Sequence, residues 1–260
     1  MVVEAVESVL AQEVVDFELI VIDDGSTDET EARLSIYGSS LKYYQQENKG
    51  VSSARNRGLE LSTAPLVAFL DSDDLWLPSK LKIQHKYMAE HPETEICQTE
   101  EIWWRNGRRV NPKKHHKKPS GDIFQRSLDF CLVSPSAVMM RRELFQKVGY
   151  FDEELPMAED YDLWLRVAVD YPVVLIAEPL VIKRGGHQDQ LSKVPAIDRY
   201  RIRALEKLLN SGRLSPEQYE WTWQAFKQKC QIYGQGCVKR GKVEEGEKYL
   251  ALPSKYRNKP

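Results

Sequence analysis

Leu66-Val67-Ala68-Phe69-Leu70-Asp71-Ser72-Asp73-Asp74 joins five apolar residues, without a polar break, to a cluster of carboxylates. An apolar run of that length reads as a strand buried on both faces. The same form occurs upstream, where Phe17-Glu18-Leu19-Ile20-Val21-Ile22 stops at Asp23-Asp24-Gly25-Ser26. Helical patterns flank these runs. Val2, Val6, Val9 and Leu10 share one face of a helix over 2–12, a helix follows a cap at Thr27 or Asp28, and Gly50 leads into a helix ending near Leu61. Leu41 to Gln45 reads as a further strand, and Pro78 opens a helix reaching Glu90. Strands alternating with helices predict an α/β fold whose sheet pairs mainly in parallel and is covered on both faces. Ligands bind such sheets beyond the carboxyl ends of the strands, so two successive acidic ends face one crevice.

The second half is less regular. Strands are expected over 95–104 and 133–140, helices over 120–129, 142–148 and 159–169, and an apolar stretch over 173–182 is broken by Pro179. Residues 105–118 read as a basic loop. From Ala196 onward the pattern is helical, over 196–209, 216–232 and 243–250. The chain thus divides into an α/β domain over 1–192 and a helical extension over 193–260.

Lys and Arg number 37 against 39 Asp and Glu, a net charge of −2. That balance lacks the basic excess of a general nucleic-acid binder. No run of 18 apolar residues encodes a membrane span, and no secretory leader is recognisable. Cys97, Cys131, Cys230 and Cys237 form no CxxC pair, which points to a reducing compartment without a zinc site or disulfide framework.

Each candidate site residue has two readings. Carboxylates after a buried strand can hold a hard divalent cation, or Asp71 or Asp74 can simply cap the next helix. Asp23 and Asp24 can accept hydrogen bonds from a nucleobase or ribose, or form an Asx turn. Arg55 and Arg57 near a helix start suit an anion, or are exposed surface charge. Glu159 and Asp160 open a helix with an apolar flank, as a rigidly held general base would, or as acids complementing the helix dipole. His187 follows Gly185-Gly186 and can complete a metal shell, or sit on a loop. The basic loop can meet a phosphate-bearing acceptor or an anionic membrane, or be solvated.

Taken in order, Val6-Glu7-Ser8-Val9-Leu10-Ala11-Gln12, Asp23-Asp24-Gly25-Ser26-Thr27-Asp28, Asn48-Lys49-Gly50, Ala54-Arg55-Asn56, Phe69-Leu70-Asp71-Ser72-Asp73-Asp74 and Glu159-Asp160-Tyr161-Asp162-Leu163-Trp164 resemble a family 2 glycosyltransferase of GT-A fold. The resemblance covers about the first 190 residues. It implies a Rossmann-like mixed sheet and inverting transfer of one sugar from a nucleoside-diphosphate sugar, a UDP-sugar by family habit, to a glycan or lipid-linked acceptor hydroxyl. It implies that Asp24, with Asp23 and Arg55 nearby, binds the base, that Asp71 lies near the ribose, and that Asp73 coordinates Mn²⁺ or Mg²⁺. Asp160 is then the general base, Glu159 stands beside it in the acceptor site, and His187 matches a late histidine that approaches the metal. The setting implied is surface-polysaccharide synthesis in the cytoplasm, at the inner membrane face. The family's first apolar strand has no counterpart ahead of the 2–12 helix, so an N-terminally truncated domain is expected. The alternative is a catalytically impaired sugar-nucleotide-binding or scaffold protein that keeps the fold.

Overall fold

A computed structural model describes residues 1–13, 16–111, 116–186 and 197–257. The first half follows the alternation read from sequence: α1 (Val2–Leu10), β1 (Ile20–Asp23), α2 (Thr30–Leu34), β2 (Lys42–Gln45), α3 (Val51–Leu61), β3 (Leu66–Val67), β4 (Leu75–Trp76) and α4 (Lys80–Glu90). There follow β5 (Ile96–Arg105), β6 (Arg108–Val110), α5 (Phe124–Ser127), β7 (Val138–Arg141), α6 (Glu143–Val148), α7 (Glu159–Ala168) and β8 (Val174–Gly185). Three helices, α8 (Ile197–Leu209), α9 (Pro216–Lys239) and α10 (Val243–Ala251), close the chain.

The sheet is mixed, but less parallel than the alternation predicts. β1 and β2 pair in parallel as a separate two-stranded sheet. The larger sheet runs β3-β7-β5-β8-β4, with β6 on β5; only β5–β8 is parallel. The reason is local. The segments of β1 and Leu66–Leu70, where the parallel ladder was expected to continue, are not paired with each other, and the ladder of β3 with β7 stops at Val67↔Met140. The five-residue strand read from sequence therefore shrinks to two residues.

Two further corrections have clear causes. The expected basic loop over 105–118 opens as a hairpin: Asn106 and Gly107, at φ 49° and 73°, make the two-residue turn joining β5 to β6. At its far end Lys118 is buried against Glu101 at 3.0 Å instead of facing solvent. Pro179 does not break the 173–182 stretch. It sits opposite Glu100 at a register shift, and β8 continues to Gly185.

One core cluster joins α5, α6 and α7 to the C-terminal helices, with Tyr161, Trp164, Leu205, Phe226 and Cys230 all buried. The α8 residue Lys207 reaches Asp152 at 2.5 Å and the buried Asp162 of α7 at 2.8 Å. The expected domain boundary at 192/193 lies outside the described residues.

α3 straddles the two sheets and runs antiparallel to both neighbouring strand segments. At its C-terminal end Arg142 donates to Leu59 O of the helix and to Ala64 O just beyond it, at 3.0 Å each. Just beyond it, the amide of Thr63 donates to Glu18 Oε1 at 2.7 Å, while Glu18 Oε2 pairs with Lys42 at 2.8 Å. The Lys42 ammonium, with the Thr63 amide, holds Glu18 at about 2, below its ordinary 4.5. A depressed carboxylate contributes stability that is complete above about pH 4.5 and lost as pH falls toward 2. Glu18→Gln should therefore lower the melting temperature by roughly 2–3 °C at pH 7. Thermal denaturation across pH should show that deficit closing below pH 4; a deficit independent of pH would contradict the assignment.

Candidate functional site

The site grows from the N-terminal end of α3. Asp24 holds the loop entering that helix: its Oδ2 accepts from Gly50 N at 2.7 Å, and its Oδ1 accepts from Lys49 N at 2.9 Å and Gln46 Nε2 at 2.7 Å. Gly25, at φ +84°, packs so closely that a Cβ there would lie 2.8 Å from Asn48 N. The Asp-Asp-Gly-Ser turn and the Asn-Lys-Gly loop are thus one interlocked unit. Asp23 is buried and makes the expected Asx turn, accepting from Ser26 N at 2.7 Å and from the Tyr43 hydroxyl. Burial alone would raise its pKa, but these donors hold it below the ordinary value. Neither residue starts α2, whose N-cap position is Glu29.

At the second acidic end, one carboxylate oxygen from each of Asp71, Asp73 and Asp74 lies within 4.8 Å of the others. Asp74 is buried, accepting from Ser136 Oγ at 2.6 Å and from Arg184 N at 2.9 Å. Burial pushes it up to about 7, with Lys183 opposing and Asp71 and Asp73 adding to the rise. Crowded oxygen donors, of which Asp71 and Asp73 both push up the carboxyl of Asp74, fit a hard divalent cation. The sequence reading chose Asp73 for the metal and Asp71 for the ribose; the fold brings both together and adds Asp74.

Arg55 connects this cluster to α7. Its Nη2 donates to Asp71 Oδ1 at 2.8 Å and its Nη1 to Glu159 Oε1 at 2.6 Å, while the guanidinium lies 5.2 Å from the centre of the Phe151 ring. Burial opposes its charge, but Asp71 and Glu159 outweigh that and raise its pKa. The next residue, Asn56, fixes the approach to α7 through bonds with both backbone groups of Phe151. Ala158, at φ 59°, then turns the chain into the helix.

Glu159 and Asp160 consequently part ways. Glu159 is 6% exposed and committed to Arg55; burial and Asp160 raise its pKa against the pull of Arg55. Asp160 is half-buried, with Oδ1 on Tyr161 N at 2.6 Å and Oδ2 receiving the Cys131 thiol at 3.3 Å. Burial and the Asp160 charge push that thiol well up, so it stays a donor.

Two cations on β8, just past the apolar stretch over 173–182, were missed in sequence. Lys183 donates to Ser134 Oγ at 2.9 Å; burial opposes its charge, but Glu101, Asp74, Asp71 and Asp160 raise its pKa. Arg184 donates from Nε to the carbonyl of Asp73 and from Nη1 to Glu4 at 2.7 Å, pinning α1 to the acidic cluster. Its buried Nη2 has no partner among the described residues. The β8 position opposite the carboxylates was the available signal, and only the register reveals it. His187 lies outside the described residues.

The model of glycosyl transferase family 2 matches residues 1–149. The chain belongs to glycosyltransferase family 2. An uncharacterized glycosyltransferase of Rickettsia typhi is 31% identical over 234 residues, covering 87% of this chain and 67% of that one. The Escherichia coli UDP-Glc:alpha-D-GlcNAc-diphosphoundecaprenol beta-1,3-glucosyltransferase WfgD is 32% identical over 171 residues, 64% of each chain. Among solved structures, Staphylococcus aureus TarS 1-349 in complex with UDP-GlcNAc shares the fold at a TM-score of 0.75 and 20% identity, covering 97% of this chain and 75% of that one. Against the Rickettsia felis glycosyltransferase, 32% identical, this family 2 chain spans 30% of the relative's length. No helix among the described residues is long and apolar enough to cross a membrane.

In this family 2 site the Arg55 bridge carries structural weight. Arg55→Met should cost about 3 kcal/mol in urea unfolding, because Asp71 and the buried Glu159 would lose their counter-charge together. Arg55→Lys should recover only part, since an ammonium lacks the fork that meets two carboxylates. Wild-type stability in the Met variant would remove the bridge from this role.

Proposed function

We propose that the protein is an inverting, metal-dependent glycosyltransferase that moves one sugar from a UDP-sugar to a hydroxyl of a glycan or lipid-linked acceptor, in polysaccharide synthesis. One observation carries the reading: Arg55 ties the acidic strand end at Asp71 to the first turn of α7, so the candidate donor site and candidate base are built as one unit. The UDP preference is supported by the names of the E. coli and S. aureus relatives.

Asp23 and Asp24 line the base and ribose end of the cleft, where Asp24 also stiffens the loop. Asp71, Asp73 and Asp74 would hold Mn²⁺ or Mg²⁺, which, when bound, supplies Lewis-acid neutralisation of the leaving diphosphate. Lys183 and Arg184 add fixed positive charge on the same side. Asp160, oriented by Tyr161 N and the Cys131 thiol, takes the proton from the acceptor hydroxyl as it attacks the anomeric carbon. Glu159 acts through Arg55 as a positioning residue and not as the base. His187 retains its sequence-based assignment as a further metal ligand. Binding without turnover is the second reading, favoured by a cavity of about 1620 Å³ that Asp23 and Asp24 help to line.

Isothermal titration should show UDP binding with Mn²⁺ that chelator abolishes and Asp73→Asn weakens at least tenfold; binding indifferent to chelator would exclude the metal from the donor site. Asp160→Asn should keep that binding while transfer from UDP-sugars to a diphosphoundecaprenol-linked acceptor falls by about 10²–10⁴. Undiminished transfer would remove Asp160 as base, and UDP binding by the wild type without any transfer would favour the second reading.

A further inference from the structure

The β5–β6 hairpin carries charge that the proposed chemistry does not use. Every residue from Trp104 to Arg109 is exposed, Arg105, Arg108 and Arg109 among them. None of the three arginines pairs with an acid among the described residues; Arg105 lies 5.8 Å from the centre of the Trp103 ring. Yet the chain as a whole has a net charge of −2. The ladder makes this placement costly. Arg105 stands directly opposite Arg108, and like charges across an antiparallel pair destabilise it. Local folding therefore does not account for the charges, whereas an anionic partner would offset their repulsion.

The indole beside them narrows the choice of anion. Trp104, 38% exposed, stands opposite Arg109. Tryptophan and arginine side by side suit a membrane interface, where the ring lies at headgroup level and the cation meets lipid phosphate. Geometry points the same way. Neighbouring residues of a strand face opposite sides, and opposed residues share a side. Arg105 and Arg108 therefore lie on one face of the tip, while Trp104 and Arg109 lie on the other. Three guanidinium groups divided between two faces do not converge on one phosphate. A layer of many headgroups meets both faces of an inserted tip at once.

The arm is also braced against the site. The amide of Asn106 donates to Gly185 O at 3.4 Å, and the Asn106 side chain packs so closely on Gly186 that a Cβ there would collide with it. Arg184, opposite Trp104 in the β5–β8 ladder, donates its backbone N–H to Asp74 at 2.9 Å. Tip and acidic cluster thus share one end of the sheet. We propose that the β5–β6 hairpin is a membrane-docking arm that seats Trp104, Arg105, Arg108 and Arg109 among the headgroups of anionic phospholipids. Docking would hold the acidic cluster close to the bilayer surface. That use rests on the reading of a lipid-linked acceptor; the docking itself does not.

Co-sedimentation of the full chain with lipid vesicles tests the arm without nucleotide, metal or acceptor. Binding to phosphatidylcholine vesicles containing about one-third phosphatidylglycerol should be at least tenfold tighter than to phosphatidylcholine alone, and should weaken as salt rises. Combining Arg105→Gln, Arg108→Gln and Arg109→Gln should lose at least tenfold of that affinity. The same triple variant should melt no lower than the wild type, because the opposed like charges are gone. Brominated lipid should quench a share of the wild-type fluorescence that Trp104→Phe lacks. Equal binding to both kinds of vesicle, or undiminished binding by the triple variant, would overturn the proposal. So would release from the vesicles by millimolar pyrophosphate at constant ionic strength, which would give the arginines to a free phosphate. Vesicle binding by a chain that transfers no sugar would count against the transferase reading and leave the arm in place.

Discussion

The guanidinium of Arg55 is the contact on which the site depends. It draws Asp71, at the end of one strand segment, and Glu159, at the start of a helix distant in sequence, onto a single planar fork. Two half-buried or buried carboxylates would repel one another and raise each other's pKa without it. With it, the acidic turn and α7 become neighbours, and Asp160 stands one residue beyond the ion pair.

Charge around that fork is layered by sign. Glu101 sits at about 2, held down against burial by Lys118 and Lys183. Lys183 in turn faces the acidic cluster, and Asp74 at its centre is pushed up to about 7. β8 thus supplies a cation that faces the acidic cluster, whose carboxylates come from the loop after β3.

Much of this was legible in the sequence, for identifiable reasons. Asp23, Asp24, Asp71 and Asp73 announced themselves because each follows an apolar run, and a strand's end is a local property. Arg55 and Glu159 were legible as residues but not as a pair, since they lie 104 positions apart and only the packing of α3 on the 151–155 segment joins them. Lys183 and Arg184 stayed hidden because β8 crosses Pro179 through a register shift, which composition cannot show. The strand at Leu66–Leu70 was read correctly as apolar and buried-type, yet its length in the fold depends on neighbours: with a partner on one side only, ladder pairing reaches just Val67. The Asn106-Gly107 pair is a local turn signal, legible in sequence despite the basic residues around it.

Lys207 gives the C-terminal helices a meaning beyond their position in the chain. By bridging Asp152 and Asp162 it touches both the loop that leads into α7 and α7 itself. Helices that share a core with α7 and neutralise one of its buried acids are not an interchangeable module. Recombination that exchanged residues beyond 197 between relatives would have to exchange the partner surface of α7 as well, so these segments are bound to evolve as one inherited block.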